Sequence, residues 1–127
     1  MRVYTIRTTC SPMDDDDLLY NFKKARRIFW LKHGLNMPDN VSVVFRKIPK
    51  SNPRHTDGCV QHTRGGYKII INPLLKFSYV AAHITLFHEM AHLYLMASNC
   101  RGDHGHGKTF WKEIDRLYSL KLYRKLL

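Results

Sequence analysis

The chain has 127 residues and carries 21 Lys and Arg against 10 Asp and Glu, a formal net charge of +11 at pH 7. Its 44% hydrophobic residues and mean hydropathy of −0.37 favour one folded domain over residues 1–127 and exclude a disordered chain. Neither a membrane span nor a secretory signal is apparent. The widely spaced Cys10, Cys59 and Cys100 fit reduced thiols. We therefore expect a protein that is not secreted and binds no membrane: intracellular, cytoplasmic or, if DNA-associated, in the nucleus or nucleoid.

The first half of the chain predicts a strand, a helix and a second strand. Residues 3–7 have strand character, and the aspartates at 14–17 then start a helix that ends near Gly34. Alternating apolar residues at 41–45 predict a strand before a loop at 49–53. The apolar stripe of the helix consists of Leu18, Phe22, Ala25 and Phe29.

The second half predicts a hairpin and two helices. Strands at 59–63 and 67–71 flank Arg64-Gly65-Gly66, and Asn72-Pro73 ends the second strand. Residues 78–99 contain neither Gly nor Pro and predict a long helix with the apolar stripe Leu86, Met90, Leu93 and Ala97. After a polar loop, a last helix turns Phe110, Ile114, Leu117 and Tyr118 inward and Lys112, Arg116, Lys121 and Arg124 outward. The predicted fold is α+β: a short antiparallel sheet packed on a long helix, with flanking N- and C-terminal helices.

The long helix contains the HExxH motif His88-Glu89-Met90-Ala91-His92. Residues four apart share one helical face, so His88 and His92 can supply two ligands of a tetrahedral zinc ion. Glu89 lies about 100° further round, where its carboxylate can deprotonate a water activated by zinc. Random placement of 8 His and the two Glu residues gives the motif on the order of once in a hundred such chains. Two core histidines without zinc would leave the Glu89 charge buried without a cation.

A catalytic zinc ion needs a third protein ligand and an open position for water. The metzincin continuation HExxHxxGxxH is not present in the sequence. Spacing leaves Glu113, His104 and His106 as alternatives. Glu113 has the spacing of a gluzincin ligand, but on a helix surface it would pair with Lys112 or Arg116.

The HExxH motif and residues 103–110 together resemble the SprT-like zinc metalloprotease family, in which an HGxxF segment follows the HExxH helix. Here that segment is His106-Gly107-Lys108-Thr109-Phe110. The resemblance spans roughly residues 18–117, and residues 66–75 are similar to the family's strand and NPxL turn. It implies a single zincin-like domain with one Zn²⁺ per chain. His106 would be its third ligand, and Phe110 would pack the last helix against the site.

The expected function is zinc-dependent peptide hydrolysis, with Glu89 as general base and His88, His92 and His106 as metal ligands. Proteases of this shape hold an extended substrate along a strand, and residues 67–71 form the nearest candidate in sequence. Tyr94, His104 or a backbone amide could donate to the oxyanion. The resemblance and the positive charge together suggest DNA-associated or DNA-crosslinked proteins as substrates.

Two other functions are compatible with the sequence. A nucleic-acid-binding module with a structural zinc ion would use four protein ligands, for instance His88, His92, His104 and His106. A zinc hydrolase could also act on a non-peptide bond, because HExxH specifies an activated water rather than the bond that it attacks. The charge of +11 predicts association with nucleic acid, unless the basic surface only confers solubility.

Overall fold

The computed structural model of the chain describes residues 12–48, 57–98 and 107–119. These residues form three α-helices and a three-stranded mixed sheet, which confirms the α+β class. The helices are α1 (Asp15–Ala25), α2 (Tyr79–Ala97) and α3 (Lys108–Ser119), and the strands are β1 (Val41–Phe45), β2 (Gly58–Thr63) and β3 (Gly66–Ile71). None of the described helices is both long and apolar enough to cross a membrane. Outside the described residues lie the predicted strand at 3–7, the loop at 49–53, Cys10, Cys100, His104, His106, Lys121 and Arg124.

Helix α1 begins in the run of aspartates, as the sequence predicts. The Asp14 carboxylate accepts a hydrogen bond from the backbone N–H of Asp17 at 2.8 Å, and the Asp17 carboxylate accepts one from the N–H of Asp14 at 3.0 Å. This reciprocal capping satisfies N–H groups at the helix end, and the acidic first turn complements the helix dipole. The predicted apolar stripe is buried along its whole length: Leu18, Phe22, Ala25 and Phe29.

The helix does not continue regularly to Gly34. Arg26–Trp30 form a π-helical turn, and a 3-10 turn over Leu31–His33 follows it. A π-helical turn accommodates one extra residue, and here both Phe29 and Trp30 point into the core and are fully buried. Gly34 then ends the segment with a φ of 74°, a left-handed conformation that favours glycine, so the predicted C-cap is confirmed.

The strand order of the sheet is β1-β3-β2. The predicted hairpin is present, because β2 and β3 pair antiparallel, but Gly66 belongs to β3 rather than to the turn. The prediction of an antiparallel sheet is wrong for β1, which pairs parallel with β3. The hairpin docks on β1 through its second strand, which runs in the same direction as β1. The alternation of apolar and polar residues within one strand does not indicate whether its neighbour runs parallel or antiparallel to it.

The helices cover one face of the sheet. Helix α1 packs on β1, α2 packs on β2 and β3, and the two helices contact each other. The predicted stripe of α2 faces the core through Leu86, Met90 and Leu93, while Ala97 is partly buried. Helix α3 packs against α2 with Phe110, Ile114 and Leu117 buried as predicted, and the Tyr118 side chain lies outside the description.

Gly65 lies in the hairpin turn and Gly66 begins β3, and only Gly65 leaves room for a side chain. A Cβ on Gly66 would overlap the carbonyl oxygen of Asn40, which accepts the N–H of Tyr67, whereas a Cβ on Gly65 would meet nothing within 4 Å. We expect Gly66→Ala to lower the free energy of unfolding by about 1–3 kcal/mol because the backbone must shift. Gly65→Ala should change it by less than about 0.5 kcal/mol. Urea denaturation of the two variants checks this, and equal effects would contradict the described turn.

Candidate metal centre

The two motif histidines lie on one face of α2. Their ring centroids are 5.0 Å apart with an interplanar angle of 67°, and His92 is buried while His88 is partly exposed. Two imidazoles whose nitrogens are each 2.0–2.1 Å from a tetrahedral zinc ion have ring centroids about 5 Å apart. The separation of the two rings therefore fits a shared metal ion.

Phe110 of α3 fixes the position of both rings. Its ring stacks on His92, with centroids 4.2 Å apart and planes at 21°, and lies 4.9 Å from the His88 ring. Phe110 itself is fully buried. The aromatic residue that the resemblance placed beside the site is thus in contact with both imidazoles. Packing of this kind restricts the rotamers of would-be ligands before any metal binds.

Glu89 is almost completely buried between α2 and the start of β2. Only 4% of it is exposed, and a Cβ on Gly58 would lie 3.1 Å from its Cγ and 3.0 Å from Cγ2 of Thr85. The missing side chain at Gly58 therefore allows β2 to approach the helix closely. Sequence reasoning missed this contact, since it joins residues that are far apart in the chain and Gly58 belongs to no motif.

The environment of Glu89 favours its protonated form in the absence of a metal. Burial, and secondarily the negative charge of Asp57, raise the pKa of its carboxyl to about 8. The pKa of the neighbouring Cys59 thiol is also raised, by burial and then by Glu89. A divalent cation at His88 and His92 would shift the Glu89 equilibrium back toward the carboxylate, because an opposite charge favours the charged form.

Glu113 is engaged in a structural cluster. It is buried rather than on the helix surface, and Arg116 donates to both of its oxygens at 2.7 Å. The indole N–H of Trp30 donates to Oε2 of the same carboxylate at 2.8 Å. Arg116, predicted to point outward, thus turns toward the interior. With both oxygens engaged, Glu113 is poorly placed to be the third zinc ligand.

The described side chains supply no third ligand beside His88 and His92. Within residues 12–48, 57–98 and 107–119, no three His, Cys, Asp or Glu side chains lie close enough together to hold a metal ion. His104 and His106 fall outside these ranges. The described part of the chain therefore brings the predicted ligands His88 and His92 together, whereas the predicted base Glu89 lies on the same helix with its side chain near Gly58.

Two predictions about the surroundings of the site need correction. Tyr94 lies about 200° round α2 from His92 and packs against the core, so it does not face the imidazoles. Residues 67–71 belong to β3, the central strand, whose backbone pairs with β1 on one side and β2 on the other. An extended peptide cannot add to a strand that is paired on both edges.

A further histidine on α2, His83, has a different environment from the motif pair. Its ring lies between those of Tyr79 and Phe87, at 5.6 Å and 6.4 Å, and it is buried. Neither ring nitrogen has a hydrogen-bond partner within the described residues. Burial, and then the charge of Lys24, lower its pKa, so His83 is a neutral core residue.

Comparison with known proteins adds no assignment. No family model matches the sequence. Neither the curated proteins nor the solved structures include one with significant similarity to it.

The raised pKa of Glu89 makes the stability of the metal-free protein depend on pH. Between its ordinary pKa of 4.5 and the folded value of about 8, the unfolded state has lost a proton that the folded state keeps. Stability therefore falls as pH rises through this window. Glu89→Gln removes the effect, so its stability relative to the unsubstituted chain should increase by roughly 4 kcal/mol between pH 5 and pH 8.

Urea denaturation in the presence of a chelator at the two pH values measures this difference. Asp57→Asn serves as a control. It removes the smaller of the two contributions to the raised pKa of Glu89, so it should reduce the pH dependence of stability only in part. A stability difference between Glu89→Gln and the unsubstituted chain that does not change with pH would contradict the burial of Glu89.

Proposed function

We propose that this chain is a zinc-dependent metallopeptidase of the SprT-like type, with one zinc ion held by His88, His92 and His106. The observation that supports this most strongly is the pair of imidazoles with centroids 5.0 Å apart, next to a nearly buried glutamate on the same helix. In a protein core without a metal, that glutamate would only reduce stability. At a zinc site, it is the group that the chemistry requires.

Glu89 acts as the proton carrier in this mechanism. When bound, zinc would polarise the scissile carbonyl and lower the pKa of a water molecule to about 7. Glu89 takes the proton of the attacking water and later gives it to the leaving amine. A carboxyl that burial shields from bulk water can do both, because its pKa is moved toward the working pH. His88 and His92 remain neutral ligands throughout, and Phe110 keeps their rings in place.

Strand β2 is the element best placed to hold a peptide. It is an edge strand of the described sheet, and its first residue, Gly58, contacts Glu89. A substrate that adds to the edge of β2 that is unpaired within the described sheet would pass close to Glu89. Helix α2 also has an exposed face. Val80 and Ile84, each about half exposed, precede His88 on that face at four-residue spacing. Backbone pairing gives affinity with loose sequence selection, and an apolar helix face favours unfolded protein as substrate.

Glu89→Gln separates metal binding from catalysis. The variant should keep one zinc per chain, because the imidazoles are untouched, and should lose at least about 100-fold in the rate of casein cleavage because the base is gone. Zinc content by atomic absorption and a casein assay check the two expectations. Unchanged activity would exclude Glu89 as the base. If the unsubstituted chain and Glu89→Gln both bind zinc and neither cleaves casein, the structural-zinc alternative is indicated.

The identity of the third ligand is tested by a second pair of variants. His106→Ala should lose zinc and activity together, because two imidazoles hold zinc too weakly for a catalytic site. His104→Ala should keep zinc near one per chain. The reverse pattern would move the ligand by two residues in the loop and leave the motif helix unaffected.

A nucleic-acid partner is favoured by the charge distribution. The described acidic residues concentrate at the start of α1, whereas Lys23, Arg27 and Lys32 are exposed toward its end and in the following turns. A surface of this kind binds phosphates through non-specific electrostatic attraction. We propose that it brings the peptidase to DNA-associated proteins. Without cleavage activity, the same surface would suit a nucleic-acid-binding module.

The Lys23→Glu/Arg27→Glu double variant tests this surface. Binding to a short single- or double-stranded DNA, followed by fluorescence anisotropy, should weaken steeply between about 50 and 200 mM salt, and the double variant should bind more weakly with a smaller salt slope. Lys47→Glu/Arg64→Glu makes the same change in net charge at other exposed positions. If both double variants bind alike, net charge rather than this surface is responsible. If the unsubstituted chain does not bind at about 50 mM salt, the proposal fails.

A further inference from the structure

Far from the imidazoles in sequence, one buried polar cluster joins helix α3 to the π-helical turn after α1. Its centre is the Glu113 carboxylate, which accepts from Arg116 on both oxygens and from the Trp30 indole N–H. Nη1 of Arg116 continues to the carbonyl oxygen of Phe29 at 3.0 Å, and the guanidinium lies over the Trp30 ring at 5.6 Å. The cluster therefore fixes both the position and the rotation of α3 relative to this turn.

The same helix carries Phe110, one turn before Glu113. Residues three apart lie on neighbouring positions of one face, so a rotation of α3 that broke the cluster would also move the Phe110 ring. That ring stacks on His92 at 4.2 Å and touches His88. On the other side of the π-helical turn, Phe29 packs edge-on against Phe87 of α2, with centroids 6.1 Å apart. The turn thus contacts both of the helices that meet at the imidazoles.

We infer that Trp30, Glu113 and Arg116 are positioning residues for the metal centre: they hold α3 so that Phe110 keeps the two imidazoles in the orientation that metal binding needs. Charged hydrogen bonds to a buried carboxylate are directional and costly to leave unmade. They therefore define one position of α3 more sharply than apolar packing alone. The inference about the rings rests on the described contacts, and its extension to zinc affinity rests on the proposed function.

Trp30→Phe is the most conservative test. It keeps a buried aromatic ring and removes the N–H that reaches Glu113, together with part of the buried ring volume, and the destabilisation from that lost volume is what the control must match. Glu113→Gln is the second variant, which weakens the pairing with Arg116. Val43→Ala is the matched control, because Val43 is buried in β1 and a smaller side chain there destabilises the fold without touching α3.

The first measurement needs no metal. In the chelator-treated protein, the ring current of the stacked Phe110 should displace the His92 ring-proton signals in NMR spectra from their unfolded positions. Trp30→Phe should move these signals toward the unfolded positions, and Val43→Ala should not. The second measurement is zinc affinity by competition with a chromophoric chelator. Trp30→Phe and Glu113→Gln should each weaken binding by about 10-fold, as is typical for residues that support metal ligands.

A purely stabilising role for the cluster makes a different prediction. The two cluster variants would then lower the free energy of unfolding as Val43→Ala does, while the His92 signals and the zinc affinity stayed at their original values. That result would overturn the inference. If the unsubstituted chain binds no zinc, the proposed function fails, whereas the NMR comparison still decides whether the cluster positions the rings.

Discussion

The carboxyl of Glu89 lies between α2 and the first residues of β2, with 4% of the residue exposed and a pKa raised to about 8 by burial. Most of the arrangement around it follows from the need to accommodate this group. Gly58 lets the strand approach, and a Cβ there would lie in tight contact with Thr85 and Glu89, at 3.0 and 3.1 Å. An apolar side chain in place of Glu89 would make the folded protein more stable. A buried group that lowers stability, next to two imidazoles, is typical of a functional site rather than of a core.

The imidazoles depend on packing that comes from two other parts of the chain. Phe110 holds their rings from α3, and α3 is in turn attached to the π-helical turn by Glu113 and Arg116. The extra residue in that turn allows Phe29 to contact α2 while Trp30 donates a hydrogen bond to α3. Two segments that are distant in sequence thus pack against one stretch of α2. This packing restricts the imidazole rings, which would lower the entropy cost of the proposed metal binding.

Local features of the chain were predictable where one physical preference decides them. The aspartates of α1, the alternation in β1, the hairpin and the stripe of α2 all follow from capping, pleating and helical periodicity. The direction of β1, the position of β3 between its neighbours and the π-helical turn were not predicted, because they depend on contacts between distant segments. The sequence did indicate that Glu113 could be buried, because it follows Phe110 by three residues on the inward face of α3. Its charge nevertheless led us to expect it on the helix surface.

In the proposed metal centre, His88 and His92 hold a zinc ion whose coordination sphere is left open to solvent. X-ray absorption at the zinc edge of the purified, zinc-loaded full chain tests it directly, because it counts the ligands and distinguishes imidazole from solvent oxygen. We expect three nitrogen ligands from imidazoles at about 2.0–2.1 Å and one oxygen. Four protein ligands would make the zinc structural and contradict a peptidase, and a chain that takes up no zinc would contradict the metal centre altogether.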